Sequence, residues 1–522
     1  MYRQSPIPVI DLFSGPGGLG EGFSSFNDGK TYRIVVSAEM DKAAHETLKL
    51  RAYFRKVRSN PTFAAAYYDF CTGRTHLPWN DQTRELWEEA GKEAMCLTLG
   101  EPKSNADLDN AISERIPSDS ECILIGGPPC QAYSLVGRAR NKGKTDYRAE
   151  EDHRHFLYKE YLRVIERTRP AVFVMENVKG ILSSKVGESR IFHEILKDLS
   201  DPTKAISTAN NTNGSRYRIH SLTTSTVFEA GMDPDSIAVN DFIIRCEEFG
   251  IPQARHRVIL VGVREDIAKQ SPLLEKKREV FVREAISDLP PLRSKISRRK
   301  DDPEQWITVV SRNILELAEE CRAAGKHEIG KCLLLAASKL KPELTIGGLR
   351  QPLADQQSDS ISDLVKTLSD PALQVVLNHE ARGHMESDLR RYAYSAAHTA
   401  IIGTSPKGHS QFNLSGLKPN HANWESGKFT DRFRTQAWLR PSTTITSHIS
   451  KDGHYFIHPE VSQCRSLTVR EAARLQTFPD NYFFQGNRTQ QFHQVGNAVP
   501  PLLALQIARV VQNIVTPAIP HF

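Results

Sequence analysis

Pro8-Val9-Ile10-Asp11-Leu12-Phe13-Ser14-Gly15-Pro16-Gly17-Gly18 is the stretch on which the fold turns. Pro8 to Phe13 reads as a short apolar strand, Ser14 to Gly18 as a tight loop, and a helix is expected from about Leu19. Glycines let a ligand approach the backbone, and the helix that follows offers free N–H groups. No Gly-Lys-Ser/Thr follows, so this is not a Walker phosphate loop, and the spacing misses Gly-x-Gly-x-x-Gly. A glycine loop without phosphate-binding residues suits an adenosine ligand that lacks a pyrophosphate.

Working outward, the first half of the chain alternates strands with helices, the pattern of a doubly wound α/β sheet. Arg33 to Ala38 is a second strand, ending at Glu39-Met40-Asp41. Glu39 is placed to accept hydrogen bonds from ribose hydroxyls, as the acidic residue does in dinucleotide folds. Residues 52 to 120 read as irregular. Cys122-Ile123-Leu124-Ile125 is a buried strand that opens through Gly126 and Gly127 into Pro128-Pro129-Cys130-Gln131. Two prolines fix φ and remove backbone donors, so this loop is rigid and presents one thiol. Arg154 to Arg167 has helical spacing, and Ala171 to Met175 is a strand ending at Glu176-Asn177. The glycine loop, Glu39, Cys130 and Glu176 each lie just past the carboxyl end of an apolar strand, where open α/β sheets bind ligands.

The alternation ends near Arg264. From there to about Ser462 the chain is turn-rich, with one amphipathic stretch introduced by Asp302-Pro303 as N-cap and first helical residue. We divide the chain into 1–270 (catalytic domain, first part), 271–462 (a second domain with a helical insertion) and 463–522 (a segment returning to the first domain), of which Pro500 to Val515 has helical spacing. A chain of 522 residues is too long for one ordinary core. Hydrophobic residues make up 39% and charged residues 25%, an ordinary globular balance, and the formal charge of +6 permits an anionic partner. The eight cysteines form no CxxC pair and no zinc-spaced cluster, which argues against a disulfide scaffold and a metal site and fits a cytoplasmic setting. No apolar signal core starts the chain and no stretch approaches a membrane span of about 18 apolar residues.

Taken together these motifs resemble the DNA cytosine-C5 methyltransferase family of bacterial restriction-modification type. Six motifs carry the likeness in the family's order: Asp11 to Gly18, Gly127 to Gln131, Glu176-Asn177-Val178, Gln253-Ala254-Arg255-His256-Arg257, Arg470 to Pro479 and Gln494 to Pro501. The resemblance implies a Rossmann-like S-adenosylmethionine-dependent catalytic domain carrying an inserted target-recognition domain. It implies cofactor contacts from Phe13, Ser14, Gly15, Gly17, Gly18, Glu39, Met40, Pro129, Asn497 and Val499, with Phe13 stacked on the adenine. The family's third strand-tip acid is not recognisable, and Asp69 and Asp107 are both open candidates.

The chemistry expected of the residues agrees. A thiolate adding to carbon 6 of cytosine turns the ring into an enamine reactive at carbon 5, and Cys130 is the nucleophile. Arg255 and Arg257, two apart on one strand, fall on the same face and supply positive charge; the family sets Arg257 against O2, and Glu176 faces N3. The catalytic set is thus Cys130, Glu176, Arg255 and Arg257. Gln131, Ser134, Arg138, Arg140 and Asn177 are expected to act on the DNA or the loop, and the segment Ser134 to Lys144 to close as a lid on duplex DNA. The expected partners are duplex DNA and, acting separately, a cognate restriction endonuclease; the enzyme is expected to be a nucleoid-associated monomer. Two other readings are a transfer-RNA cytosine-5 methyltransferase and a catalytically silent DNA-binding regulator.

Overall fold

The computed structural model describes residues 5–117, 120–129, 157–186, 189–206, 214–267, 271–353, 361–419 and 432–516. Cys130, Gln131, Ser134, Arg138 and Arg140, and with them the expected lid, lie outside the described residues.

A nine-stranded sheet organises the first half. Its strands are β1 (Ile7–Leu12), β2 (Tyr32–Glu39), β3 (Ala94–Cys96), β4 (Ile123–Gly126), β5 (Val172–Val178), β6 (Tyr217–His220), β7 (Val227–Phe228), β8 (Ile243–Arg245) and β9 (His256–Arg264). They lie in the order β3-β2-β1-β4-β5-β9-β6-β7, with β8 pairing beside β6 along β9. β3 to β5 run parallel, and β9 closes onto β5 antiparallel. The order reverses between β1 and β4, which opens the crevice in which a doubly wound sheet takes its ligand. Val9, Ile34, Ile125 and Val174 face one core, Ile10, Val36, Leu124 and Phe173 the other, so these strands are apolar on both sides.

The helices that frame the sheet are α1 (Gly18–Ser25), α2 (Lys42–Val57), α3 (Pro61–Thr72), α4 (Arg84–Glu93), α5 (Pro102–Arg115), α6 (Leu157–Thr168) and α7 (Ile191–Ser200). The stretch 52–120 is therefore not irregular: it holds three whole helices and β3. β3 was missed because it has only three residues, Ala94-Met95-Cys96, too few to show a period. β5 is longer than expected. Val178 and Asn177 pair with Arg257 and Val258, so Glu176 lies inside β5, one residue beyond the last pairing with β4 at Met175.

Beyond the sheet, α8 (Pro303–Ala323), α9 (His327–Ala337) and α10 (Glu386–Ile402) build a separate core around Trp306, Leu317 and Tyr392. α8 starts as expected, the Asp302 carboxylate accepting from the Gln305 amide at 3.0 Å. Val282, Ile286, Ile445 and Phe456 share a core with α11 (Val469–Leu475) and α12 (Arg488–Asn497). Residues on both sides of position 462 thus pack together.

The end of the chain returns to the first domain through α13 (Pro501–Val515). α1 carries Gly18, Gly20 and Gly22, a costly composition for a helix. Its packing explains two of them: a Cβ on Gly22 would stand 2.3 Å from Ala504 Cβ, and one on Gly18 2.2 Å from the Val499 carbonyl oxygen. Arg488–Val515 holds an 18-residue window of mean hydropathy 1.4, more apolar than the sequence reading allowed, and 61% of that window is buried. Its apolar side chains, among them Ile507 and Val511, fill the core against β1, β4 and β5.

Candidate active site

The loops that follow β1, β2 and β4 meet at the crevice, with the returning segment beside them. Phe13 takes φ 55°, a left-handed conformation that costs a non-glycine residue about 1–3 kcal/mol, and such strain gathers at ligand sites. Gly15 also has positive φ, at 56°, and a Cβ there would meet nothing within 4 Å. The loop therefore faces open space at Gly15. Its amide donates to Glu39 Oε2 at 2.8 Å, and the Asp41 amide donates to Oε1 at 2.7 Å, so Glu39 is fixed at the mouth of the loop. Burial pushes the Glu39 carboxyl up, opposed by these amide bonds.

The remaining loop residues are engaged by the protein. Ser14 is buried and turned inward, its hydroxyl donating to the Asp11 carbonyl at 2.8 Å, so its side chain is not offered to a ligand as expected. A side chain on Gly17 would press on Leu48 Cδ1 at 2.8 Å and on the Tyr482 hydroxyl at 3.0 Å. That hydroxyl donates to the Pro16 carbonyl. Val499 is buried with its carbonyl against Gly18, whereas Asn497, the last residue of α12, is exposed. Met40 is 60% exposed beside Glu39.

Beneath the loop lies a residue that sequence reasoning passed over. Asp11 is 1% exposed, and neither carboxylate oxygen has a hydrogen-bond partner among the described residues. Burial, the largest cause, pushes its carboxyl up to about 7. In the unfolded chain the group ionises near 3.9. The folded state therefore holds a proton that the unfolded chain has lost between about pH 4 and 7. Stability from this group is full below pH 4 and declines until pH passes about 7. Asp11→Asn is expected to remove that slope: thermal melts of variant and wild type should diverge between pH 5 and 8, the variant gaining at the alkaline end. Parallel melting curves across that range would refute the assignment.

The second half of the site lies where β4 ends beside β5. Arg257 Nε stands 2.8 Å from Glu176 Oε1, and both side chains are about nine-tenths buried. The pair is close but not aligned as a hydrogen bond, leaving both atoms without an aligned partner. Glu176 Oε2 would stand 3.1 Å from a Cβ on Gly127, so any larger residue there would press on this carboxylate and the Pro128-Pro129 loop sits closely against it. Asn177 Nδ2 donates to the Pro128 carbonyl at 3.2 Å and its Oδ1 accepts from the Val178 amide at 2.8 Å. The role seen for Asn177 is thus to hold the loop. Pro129 is half-buried, and the chain passes from it directly to Cys130.

Arg255 does not join this pair as expected. It is 0% exposed. Its guanidinium donates to the carbonyls of Ile445 at 2.8 Å, Gly496 at 3.2 Å and Ala498 at 2.8 Å. Burial, then the neighbouring Arg257, lowers it to about 9. The shared-face argument failed because the ladder breaks at this residue: Gln253–Ala254 pairs in parallel with Ser442–Thr443, while β9 begins only at His256. Gln253, also fully buried, accepts from the Ile445 amide at 2.8 Å and donates to the Leu475 carbonyl at 3.2 Å. The Gln253–Arg257 motif therefore divides into a buried clamp and one arginine at the crevice. Asp69, on α3, pairs with Arg74 just beyond that helix, and Asp107 is exposed on α5, so neither open candidate stands at a strand tip.

Comparison with known proteins gives this geometry its setting. The chain matches the family described as C-5 cytosine-specific DNA methylase over residues 91–202 and 238–513. It is 32% identical to the type II methyltransferase M.Bpa9945I of Bacillus paralicheniformis, over 97% of this chain and 99% of that protein. It is 26% identical to the type II methyltransferase M.AgeI of Thalassovita gelatinovora, over 97% and 99%. Among solved structures, a prophage-encoded protein from E. coli aligns over 97% of this chain at a TM-score of 0.52 and 18% identity, a likeness of fold.

Proposed function

Because the chain belongs to the C-5 cytosine-specific DNA methylase family, we propose that Cys130, Glu176 and Arg257 carry its reaction on a cytosine turned out of the duplex. The protein is a DNA cytosine-5 methyltransferase of restriction-modification type that uses S-adenosylmethionine. The observation that carries the proposal is the Glu176–Arg257 pair held against Gly127, directly before the thiol loop.

The cofactor, when bound, supplies an electrophilic methyl group on sulfur. The residues present fit it. Gly15 opens the loop to a ligand, Glu39 has lone pairs left for ribose hydroxyls, and Phe13 and Met40 offer apolar surface. Gly17, Gly18 and Val499 shape the loop and Ser14 fixes it from within; we assign Asn497 and Pro129 to the rim of the same cleft.

Each protein group then has a task. The Cys130 thiolate forms a bond to carbon 6 of the ring, which moves electron density towards N3 and O2. Glu176, holding a proton, donates to N3, and Arg257 offers its guanidinium to O2. The 2.8 Å approach of Arg257 Nε to Glu176 Oε1 sets the position of both side chains before the base arrives. Carbon 5, now electron-rich, accepts the methyl group and loses its proton to a base, and the carbon 6–sulfur bond breaks to release Cys130. The base must leave the stack to reach this crevice. We assign residues 271–462 to recognition of the DNA sequence, Gln131, Ser134, Arg138 and Arg140 to contacts with DNA from the thiol loop, and a separate endonuclease to the same sites.

The test is transfer of a radiolabelled methyl group to duplex DNA, with transfer RNA in parallel and bisulfite sequencing of labelled DNA. Label at cytosine within a fixed DNA sequence is expected. Label in transfer RNA alone would overturn the duplex substrate, and label in neither would favour a silent DNA-binding regulator.

A further inference from the structure

We propose that a cavity between the second domain and the returning segment binds a guanine nucleotide, with Glu460 and Gln463 on the edge of the base and Arg283 at the phosphate. The inference goes beyond the reaction above, and the cavity shares no residue with the crevice. It measures about 300 Å³, at the lower end of the roughly 300–1,000 Å³ range of small-molecule sites. Buried Gln463, Arg465 and Glu471 line it from within; exposed Arg283 and half-buried Trp438 and Glu460 line it towards solvent.

The inner charges are matched within the protein. Arg465 Nη2 stands 2.6 Å from Glu471 Oε1, and both residues are 1% exposed. His458 is neutral, because burial lowers its imidazole to about 3. Its Nδ1 accepts from the Glu460 amide at 3.1 Å, so its proton sits on Nε2, 3.5 Å from Glu471 Oε1. Gln463 Oε1 takes three donors: the Leu292 amide at 3.1 Å, Arg465 Nε at 3.0 Å and Arg465 Nη2 at 2.6 Å. Turning the amide over would set its NH2 group against three N–H groups, so the NH2 group points the other way. No described residue accepts from it, although Gln463 is only 8% exposed. A buried donor is thus held open to the cavity. Glu460 stands three residues earlier, at the head of the same 3₁₀ turn, Val461–Gln463, and side chains so spaced lie on one side of the turn. Ser462 Oγ donates to Glu460 Oε1 at 3.0 Å, which leaves Oε2 free among the described residues.

A ligand that suits this wall offers one acceptor to the amide and donors to the carboxylate along a single edge. Guanine does: O6 accepts, and the N1 and N2 hydrogens point side by side at one carboxylate. None of the other three bases sets two adjacent donors beside an acceptor. Ile286, Leu289 and Trp438 bring apolar and aromatic surface for the faces of the ring. Trp438 is held in place, its carbonyl accepting from the Arg283 amide at 3.0 Å and its ring meeting His458 edge to face at 5.5 Å. The Arg283 guanidinium has no partner among the described residues and stands at the rim, where it can take a phosphate. A bare anion fits less well, because the Glu460 carboxylate opposes it. Two sources share this chemistry: a free guanine nucleotide, and the guanine that a turned-out cytosine leaves unpaired in DNA.

Calorimetry with guanosine monophosphate tests this on the full-length protein, saturated with S-adenosylhomocysteine so that nucleotides are kept out of the cofactor cleft. Inosine monophosphate, without the N2 amino group, and adenosine monophosphate, without O6 and the N1 hydrogen, are each expected to bind about tenfold more weakly or worse. Glu460→Gln should also cost guanosine monophosphate about tenfold without moving the melting temperature, since a glutamine accepts one N–H group while its own NH2 opposes the other. Arg283→Ala should weaken the monophosphate and leave guanosine unchanged. No binding of guanosine monophosphate at millimolar concentration, equal binding of adenosine monophosphate, or unchanged affinity in Glu460→Gln would overturn the site. Failure of S-adenosylhomocysteine to bind would strike the cofactor reading and not this one. Duplex DNA of the methylated sequence then separates the sources. If it displaces guanosine monophosphate, and loses that power when the guanine opposite the target is replaced by an abasic residue, the cavity takes the guanine of the DNA. Displacement by both duplexes or by neither assigns it to the free nucleotide.

Discussion

Cys130→Ala is expected to lower methyl transfer to duplex DNA by at least roughly 10⁴-fold, the scale on which enzymes lose rate when a covalent nucleophile is deleted. The cofactor should bind the variant as it binds the wild type, because the loop at Gly15, Glu39 and Met40 is built without residue 130. The reason for so large an effect is chemical. Carbon 5 of cytosine is a poor nucleophile, and only addition at carbon 6 makes it reactive, so no neighbouring group can do half the work. Duplex DNA carrying 5-fluorocytosine supplies the second readout. Fluorine cannot leave as a proton does, so the wild type should be trapped as a complex that survives denaturing electrophoresis, and Cys130→Ala should form none. Residual activity within tenfold of wild type, or a trapped complex in the variant, would end the covalent mechanism. Cys130→Ser should also be inactive, since an alcohol is far less ionised than a thiol at neutral pH.

How much of this was legible without coordinates follows from range. Strand tips are local: the apolar run, the glycines and the acid that follows appear together in the sequence, so the Gly15 loop, Glu39 and the Gly127–Pro129 loop were all legible. Met40 is exposed beside Glu39, and Val499, from the end of the chain, is buried against Gly18. What was not legible depended on long-range packing. Nothing near Ser14 announces that its hydroxyl turns inward to Asp11, and nothing near Asp11 announces an unpartnered carboxylate. β3 escaped because three residues between two polar helices carry no period. Arg255 was misplaced for a related reason. Alternation predicts a shared face only while a strand continues, and the partners that break it, Ile445, Gly496 and Ala498, lie about 190 to 243 residues away.

That break turns into a prediction separating the two arginines. Arg255→Ala deletes a buried guanidinium that bonds three carbonyls and leaves those of Ile445 and Gly496 with no donor, while Ala498 keeps the Gln476 side-chain amide. A buried group left unsatisfied costs about 1–3 kcal/mol, so the protein should melt several degrees lower. Two of those carbonyls, on Gly496 and Ala498, flank Asn497 and precede Val499, so cofactor affinity should fall with stability. Arg255→Lys should recover only part of both losses, since one ammonium cannot reproduce the fork that reaches three acceptors. Arg257→Ala should behave in the opposite sense. Its side chain reaches the crevice and pairs with Glu176, so kcat should drop by about 10²–10³, the cost of losing one donor to developing negative charge. Cofactor affinity should hold, because no cofactor-loop residue bonds Arg257 among the described residues. Measuring melting temperature, cofactor Kd and kcat on the same three variants decides the matter. If Arg255→Ala melts and binds cofactor like wild type but loses kcat, Arg255 belongs with the reacting groups after all, and its bonds to the returning segment do not set its role. If instead stability and cofactor affinity fall together and Arg255→Lys restores both in part, the residue is the joint through which the end of the chain holds the cofactor pocket in register with Glu176 and Arg257.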